Sequence, residues 1–229
     1  MNKMTYLWTG LALMSILAGC AITPTATMAN SYPRMYERKP ISILILPPIN
    51  NSTAADAKEY FSCSLGEALG LVGYYPLPVE AVFSILREEG MYDTETVTPV
   101  VLSNLKKYFG ADAVLISSIE KWDKSWFLTS GTLTIDAKFS LLSTENSETI
   151  WDYHTITKVK LGSSSDNIFM SMVESAIKTA VEDYFPNARR ANIYTFEQTI
   201  PYGKYHPSYN IDGERTVHEN KVGVFEINK

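Results

Sequence analysis

Histidine and cysteine are scarce in this sequence, with three and two copies among 229 residues. His154, His206 and His218 stand far apart, and none has the H-x-x-x-H spacing that would present two ligands on one helix face. The chain has no G-x-S-x-G elbow for a serine nucleophile and no glycine-rich loop of the kind that cradles phosphate. Positive charge is in deficit: 20 Lys and Arg stand against 25 Asp and Glu, for a net charge of −5. Nothing electrostatic therefore draws the chain to nucleic acid. Long apolar runs are also missing. The strongest, Leu7 to Leu17, is about half the roughly 20 residues a membrane-spanning helix needs. There is no internal repeat and no second core. These absences argue against a metal centre, a cofactor site and a catalytic constellation, and the expectation is a non-enzymatic domain.

What is present begins at the N-terminus. Lys3 precedes the short apolar run, as in an export signal. The run ends in Leu17-Ala18-Gly19-Cys20, which resembles the lipobox of bacterial lipoproteins in all four positions. The resemblance implies a signal peptide over residues 1–19, cleavage between Gly19 and Cys20, and a lipidated Cys20 as the mature N-terminus. Each buried CH₂ adds roughly 0.8 kcal/mol, so two or three acyl chains hold firmly where one does not. Ala21, in place of an inner-membrane retention Asp, implies the outer membrane. Residues 20–39, rich in Thr, Ala and Pro, read as a flexible tether.

Residues 40–185 read as one α/β domain. Ile41 to Leu46 is nearly continuously apolar, the pattern of a strand buried on both faces. Thr53 and Asp56 resemble a capping box, and Phe61, Leu65, Ala68, Leu69 and Val72 follow as one helical stripe. Pro78 and Thr98-Pro99 open two further helices, closed by Gly90 and Gly110. Their inward residues are Val79, Val82, Phe83 and Leu86, then Val101, Leu102, Leu105 and Phe109. A long strand over "ADAVLISSIEKWDKSW" follows. Residues 132–142 and 150–161 alternate in polarity and are joined closely, which predicts an antiparallel meander. Ser165-Asp166 opens a last helix that runs to Tyr184. The order is β-α-β-α-α-β-β-β-α, a single mixed sheet packed with helices. Pro186 is expected to break the helix. Residues 186–229 then form a tail, with 190–211 packed across the domain or a partner and 212–229 loosely ordered.

Few side chains stand out as candidates. With Cys20 lipidated, Cys63 is the only remaining thiol, so no intrachain disulfide forms. It reads as a small buried residue inside a helix, with an interchain disulfide as the alternative. Glu67, one turn on, disfavours its thiolate if the two sit close. His154 shares a polar strand face with Asp152, Lys158 and Lys160. Trp122, Trp126 and Phe127 gather at a strand end before a turn at Ser130-Gly131, either capping the core or forming an interaction hot spot. Tyr202, Tyr205 and Tyr209, in "PYGKYHPSY", carry the same two readings.

Four stretches, "ILILPPINNST", "GYYPLP", "FGADAVLISSIEKW" and "PYGKYHP", resemble a family of Gram-negative lipoproteins of unknown function, over essentially residues 1–210. The resemblance implies a fold similar to the TolB N-terminal domain, CsgG and the lipoprotein activators of penicillin-binding proteins. Such relatives bind other envelope proteins and are not enzymes. The loops near 126–131 and 143–148 are too short for the membrane-crossing hairpins of a pore. The expected function is an outer-membrane-anchored, periplasm-facing adaptor of a CsgG-like secretion or assembly machine or of cell-wall synthesis. The alternatives are a self-associating structural lipoprotein, as a homodimer, and a small-ligand-binding or hydrolytic protein.

Overall fold

The computed structural model describes residues 26–55, 57–90, 94, 97–127, 130–161, 184–217 and 222–227. The expected signal peptide, Gly19, Cys20, Asp56, most of the helix expected from Ser165, and His218 lie outside the described residues. Two short helices come first, α1 (Met28–Ser31) and α2 (Pro33–Arg38). Then follow β1 (Ser42–Ile45), β2 (Ile49–Asn50), α3 (Ala57–Leu71), β3 (Tyr75–Pro76), α4 (Val79–Glu88) and α5 (Pro99–Phe109). Three long strands, β4 (Ala113–Phe127), β5 (Ser130–Ser143) and β6 (Thr149–Leu161), precede α6 (Tyr184–Thr199) and β7 (Val222–Ile227).

The strands form one curled mixed sheet in the order β3-β1-β4-β5-β6-β7, with β2 paired to β4 beside β1. Strands separated by helices run parallel: β1 with β3, and β1 and β2 with β4. The closely joined β4, β5 and β6 run antiparallel. Helix-length connections allow parallel pairing and tight turns force antiparallel pairing, so spacing sets direction here.

β1 shows why its sequence is continuously apolar. Ile43 and Ile45 face one core with Phe61, Leu65, Leu69, Phe139 and Trp151. Against the expectation of no second core, Leu44 and Leu46 face one on the other side of the same sheet, with Val82, Leu86, Leu102 and Leu105. Successive side chains of a strand leave on opposite faces, and helices cover both. The first core lies under α3 and α6, the second under α4 and α5. On β5, Leu133, Ile135, Ala137, Phe139 and Leu141 are all buried, as the alternation requires. Thr98 Oγ1 accepts from Val101 N at 3.4 Å to cap α5, and Gly110 closes it at φ 69°.

Four further expectations are corrected. Residues 28–38 are not a flexible tether: Met28 and Met35 are buried, and the segment is helical. α3 begins at Ala57, so Thr53 is not its cap. The preceding turn is held instead by Asn50, whose Oδ1 accepts from Ser52 N at 3.0 Å and Ser52 Oγ at 2.7 Å. Ser130 and Gly131 are strand residues, paired with Phe127 and Trp126, not a turn. Finally, residues expected to form a tail are regular: Pro186 lies in the first described turn of α6, and β7 adds a parallel edge to β6. Residues 186–229 therefore supply a helix and a strand to the domain. Pro186 is the third residue of α6, where an amide hydrogen has no partner within the helix, so it costs the helix no hydrogen bond, and Ala188, Ala191, Asn192, Thr195, Phe196 and Thr199 are buried.

Candidate functional site

The motif "PYGKYHPSY" builds a clasp across the end of the molecule where β1 begins. Its basis is a contact between two backbones. Gly203 N donates to Val72 O at 2.8 Å, and Tyr205 N donates to Gly73 O at 2.9 Å. A side chain on Gly203 would run into the carbonyl of Gly73 and stand 2.8 Å from Tyr74 Cδ1. Gly73 also holds φ 89°, a left-handed value that side chains disfavour. Glycine is needed on both sides of this crossing.

Around the crossing lies a polar and aromatic network. Tyr74 OH donates to Pro201 O at 2.6 Å. The buried Asp212 carboxylate accepts from Tyr202 N at 2.8 Å and from Tyr36 OH at 3.1 Å. Burial foremost, then the Asp212 charge, pushes the Tyr36 and Tyr74 hydroxyls well above the ordinary tyrosine range. Arg215 donates to Glu197 O at 2.8 Å and to Ile200 O, while its guanidinium lies 4.1 Å from the centre of the Tyr202 ring. The other neighbour of that ring is His206, with centroids 3.6 Å apart. His206 Nδ1 accepts from Ser208 N at 3.1 Å, which leaves the proton of the neutral ring on Nε2. The three tyrosines thus divide: Tyr202 is sandwiched, Tyr209 is half-buried and Tyr205 is 64% exposed.

The tryptophan cluster also divides. Trp122 is buried in the first core beside Ile135 and Leu133. Trp126 and Phe127 end β4, in register with Gly131 and Ser130. The backbone at the strand end is therefore about 45 Å along β4 from the clasp end, at about 3.3 Å per residue.

Cys63 lies on α3 as expected but is exposed, not buried. It falls two residues after Phe61, on the side of the helix away from the core stripe. It lines a cleft of about 630 Å³ between α3 and α4, with Lys58, Glu59, Ser62, Glu80, Ser84 and Arg87. Its Sγ is 3.7 Å from Glu80 Oε1. Partial burial, then the charges of Glu80 and Glu59, raise the thiol pKa, the wrong direction for a nucleophile. Glu67 is engaged elsewhere, receiving Arg189 Nε at 2.6 Å and Nη2 at 2.5 Å. That hydrogen-bonded pairing lowers the Glu67 pKa. His154 shares its strand face with Asp136, its Nε2 2.7 Å from Oδ1, as a half-exposed cross-strand pair. Among the described residues, no three His, Cys, Asp or Glu gather to hold a metal ion.

One feature was not read from the sequence. A groove of about 410 Å³ between α4 and α5 is lined by Ile85, Leu86, Val101, Leu105, Tyr108 and Phe109. Ile85 is 45% exposed and Tyr108 76%. Both fall beside the inward stripes of their helices, and apolar residues just off a stripe were the available signal.

Comparison with known proteins places this chain among lipoproteins. A relative in Neisseria meningitidis serogroup B, "Putative lipoprotein NMB1124/NMB1162", is 27% identical over 213 residues, covering 92% of this chain and 96% of its own. The crystal structure of lipoprotein GNA1162 from Neisseria meningitidis has 27% identity and a TM-score of 0.47, covering 62% of this chain and 98% of that one. The LpoB C-terminal domain from Salmonella enterica has 15% identity and a TM-score of 0.34, covering 65% of this chain and 96% of that one. The family model match runs from residue 30 to residue 203, and the chain belongs to the family described as "Putative lipoprotein GNA1162-like".

Proposed function

We propose that the protein is a non-catalytic accessory lipoprotein, anchored by acyl chains on Cys20 in the outer membrane and facing the periplasm. Its partner is another envelope protein, a component of a secretion, assembly or cell-wall synthesis machine. The observation that carries this reading is the apolar groove between α4 and α5, open to solvent through Ile85 and Tyr108. Six of its eight lining residues are aliphatic or aromatic, with Glu89 and Asn104 as the polar remainder, a lining that accepts apolar anchors from a partner protein. Two further observations support it. The exposed thiol has a carboxylate neighbour that disfavours its reactive form. The chain also belongs to a lipoprotein family.

The test uses the full-length protein in cells with a photo-crosslinking amino acid in place of Tyr108. The reading expects one envelope protein, identified by mass spectrometry and captured again when it is itself the bait. Ile85→Glu and Cys20→Ala should each reduce that capture several-fold. Failure to capture any envelope protein, or capture indifferent to Ile85→Glu, would overturn the adaptor reading.

A further inference from the structure

The inference drawn here rests on the reading of Cys20 as the lipid anchor and concerns how the anchored domain stands on its membrane. The chain is already fixed at Ala26. Ala26 O accepts from Val217 N at 2.9 Å, and Thr27 bridges Thr216 in antiparallel register. Met28 N and Ala29 N donate to Arg215 O at 2.9 Å and Gly213 O at 3.0 Å. The clasp thus seizes the tether six residues after Cys20. An extended chain covers at most about 3.5 Å per residue, so anchor and clasp lie within about 20 Å of each other. That reach keeps the clasp at the bilayer surface.

The same clasp carries large apolar side chains into solvent. Ile211 is 76% exposed and Tyr205 is 64% exposed. Leu71 and Tyr75, both about half exposed, flank Gly73, whose carbonyl receives Tyr205 N. A tyrosine suits the headgroup layer because its ring prefers an apolar environment and its hydroxyl a wet one. The exposed charges of the loop, Lys204 and Glu214, oppose each other. Contact there would depend on apolar insertion and little on lipid charge.

We propose that this end of the domain, centred on Tyr205 and Ile211, rests in the interfacial layer of the bilayer that holds the anchor. Acyl chains and apolar loop then act together, as paired weak signals do in stable membrane attachment. The β4–β5 hairpin points away from the membrane, with Ser125 about 40 Å along β4 from Ala113, at about 3.3 Å per residue.

The experiment uses full-length protein matured in cells and reconstituted into vesicles of phosphatidylethanolamine and phosphatidylglycerol. A benzophenone amino acid replaces Tyr205, Ile211 or Ser125, and adducts are read by mass spectrometry after illumination. Lipid adducts are expected several-fold more often at 205 and 211 than at 125, with little loss in high salt. Equal yields at the three positions, or adducts at 205 and 211 with protein instead of lipid, would overturn the orientation. The mass of the N-terminal peptide separates this failure from that of the anchor. An acylated Cys20 without lipid adducts at 205 and 211 refutes the orientation alone. An unmodified Cys20 refutes the anchor, and the orientation with it.

Discussion

Gly203→Ala perturbs the clasp by a single methyl group. The new Cβ would overlap the Gly73 carbonyl and stand 2.8 Å from Tyr74 Cδ1. The obstacle is backbone, so no side-chain rotation relieves it. The two segments must part, and the bonds from Gly203 N to Val72 O and from Tyr205 N to Gly73 O lengthen or break. Each bond contributes about 1 kcal/mol. Crowding adds about 1–3 kcal/mol. The expected loss is therefore about 3–5 kcal/mol, and at roughly 2–4 °C per kcal/mol for a chain of this size the melting temperature should fall by about 10 °C. The control is Gly70→Ala, within α3, where an added Cβ meets nothing within 4 Å. That change should stabilise by about 0.5–1 kcal/mol, because alanine favours the helix. Thermal unfolding followed by circular dichroism measures both. A Gly203→Ala protein that melts with the wild type would refute the claim that backbone contact holds the clasp.

Three other outcomes are expected. Asp112→Ala should cost about 1–2 kcal/mol, because its Oδ2 accepts from Ile41 N, Ser42 N and Ser42 Oγ at 3.0–3.1 Å. Burial raises this carboxyl, but those donors pull its pKa below the unfolded value. Its stabilising effect is thus present above about pH 4 and fades as pH falls through the folded pKa, as acid titration of wild type against Asp112→Ala would show. Tyr32, Tyr36, Tyr74 and Tyr153 all have raised pKa values, with burial the largest cause. Stability should hold below about pH 10 and decline above it, with the tyrosinate absorbance of these four rings appearing only on unfolding; their gradual ionisation in folded protein would contradict this. Cys63 should react more slowly with a thiol reagent at pH 8 than free cysteine does, and Glu80→Gln should accelerate it; a rate equal to free cysteine would contradict the raised pKa.

The elements legible in the sequence are those whose burial is apolar and periodic. β1, the stripes of α3, α4 and α5, and the alternation of β5 follow this rule, and connection lengths then gave strand direction. Helix α6 broke it. Its buried side includes Asn187, Asn192, Thr195 and Thr199. Asn192 Nδ2 donates to Ser64 Oγ at 2.8 Å and Phe61 O at 3.3 Å, and Thr199 O receives Trp151 Nε1 at 3.0 Å. These partners lie more than 45 residues away in sequence, so a buried polar stripe whose bonds are made by distant residues reads as loop in isolation. Strand β7 was hidden for a related reason, since its parallel pairing to β6 is a tertiary fact that leaves no local turn signal.

The candidate site was legible as a list of aromatic residues but not as a set of roles. Composition treats Tyr202, Tyr205 and Tyr209 alike. The structure separates them by what surrounds each ring. Tyr202 lies between His206 and Arg215, and its amide is bonded to Asp212, so it is committed to holding the clasp closed. Tyr205 contributes its amide to the crossing while its ring stands in solvent. A backbone bond survives replacement of the side chain; a ring sandwich does not. Tyr202→Ser should therefore lower stability, whereas Tyr205→Ser should leave the fold intact and remove only what the exposed ring contacts. The difference between the two variants separates the stability of the clasp from its use as a surface.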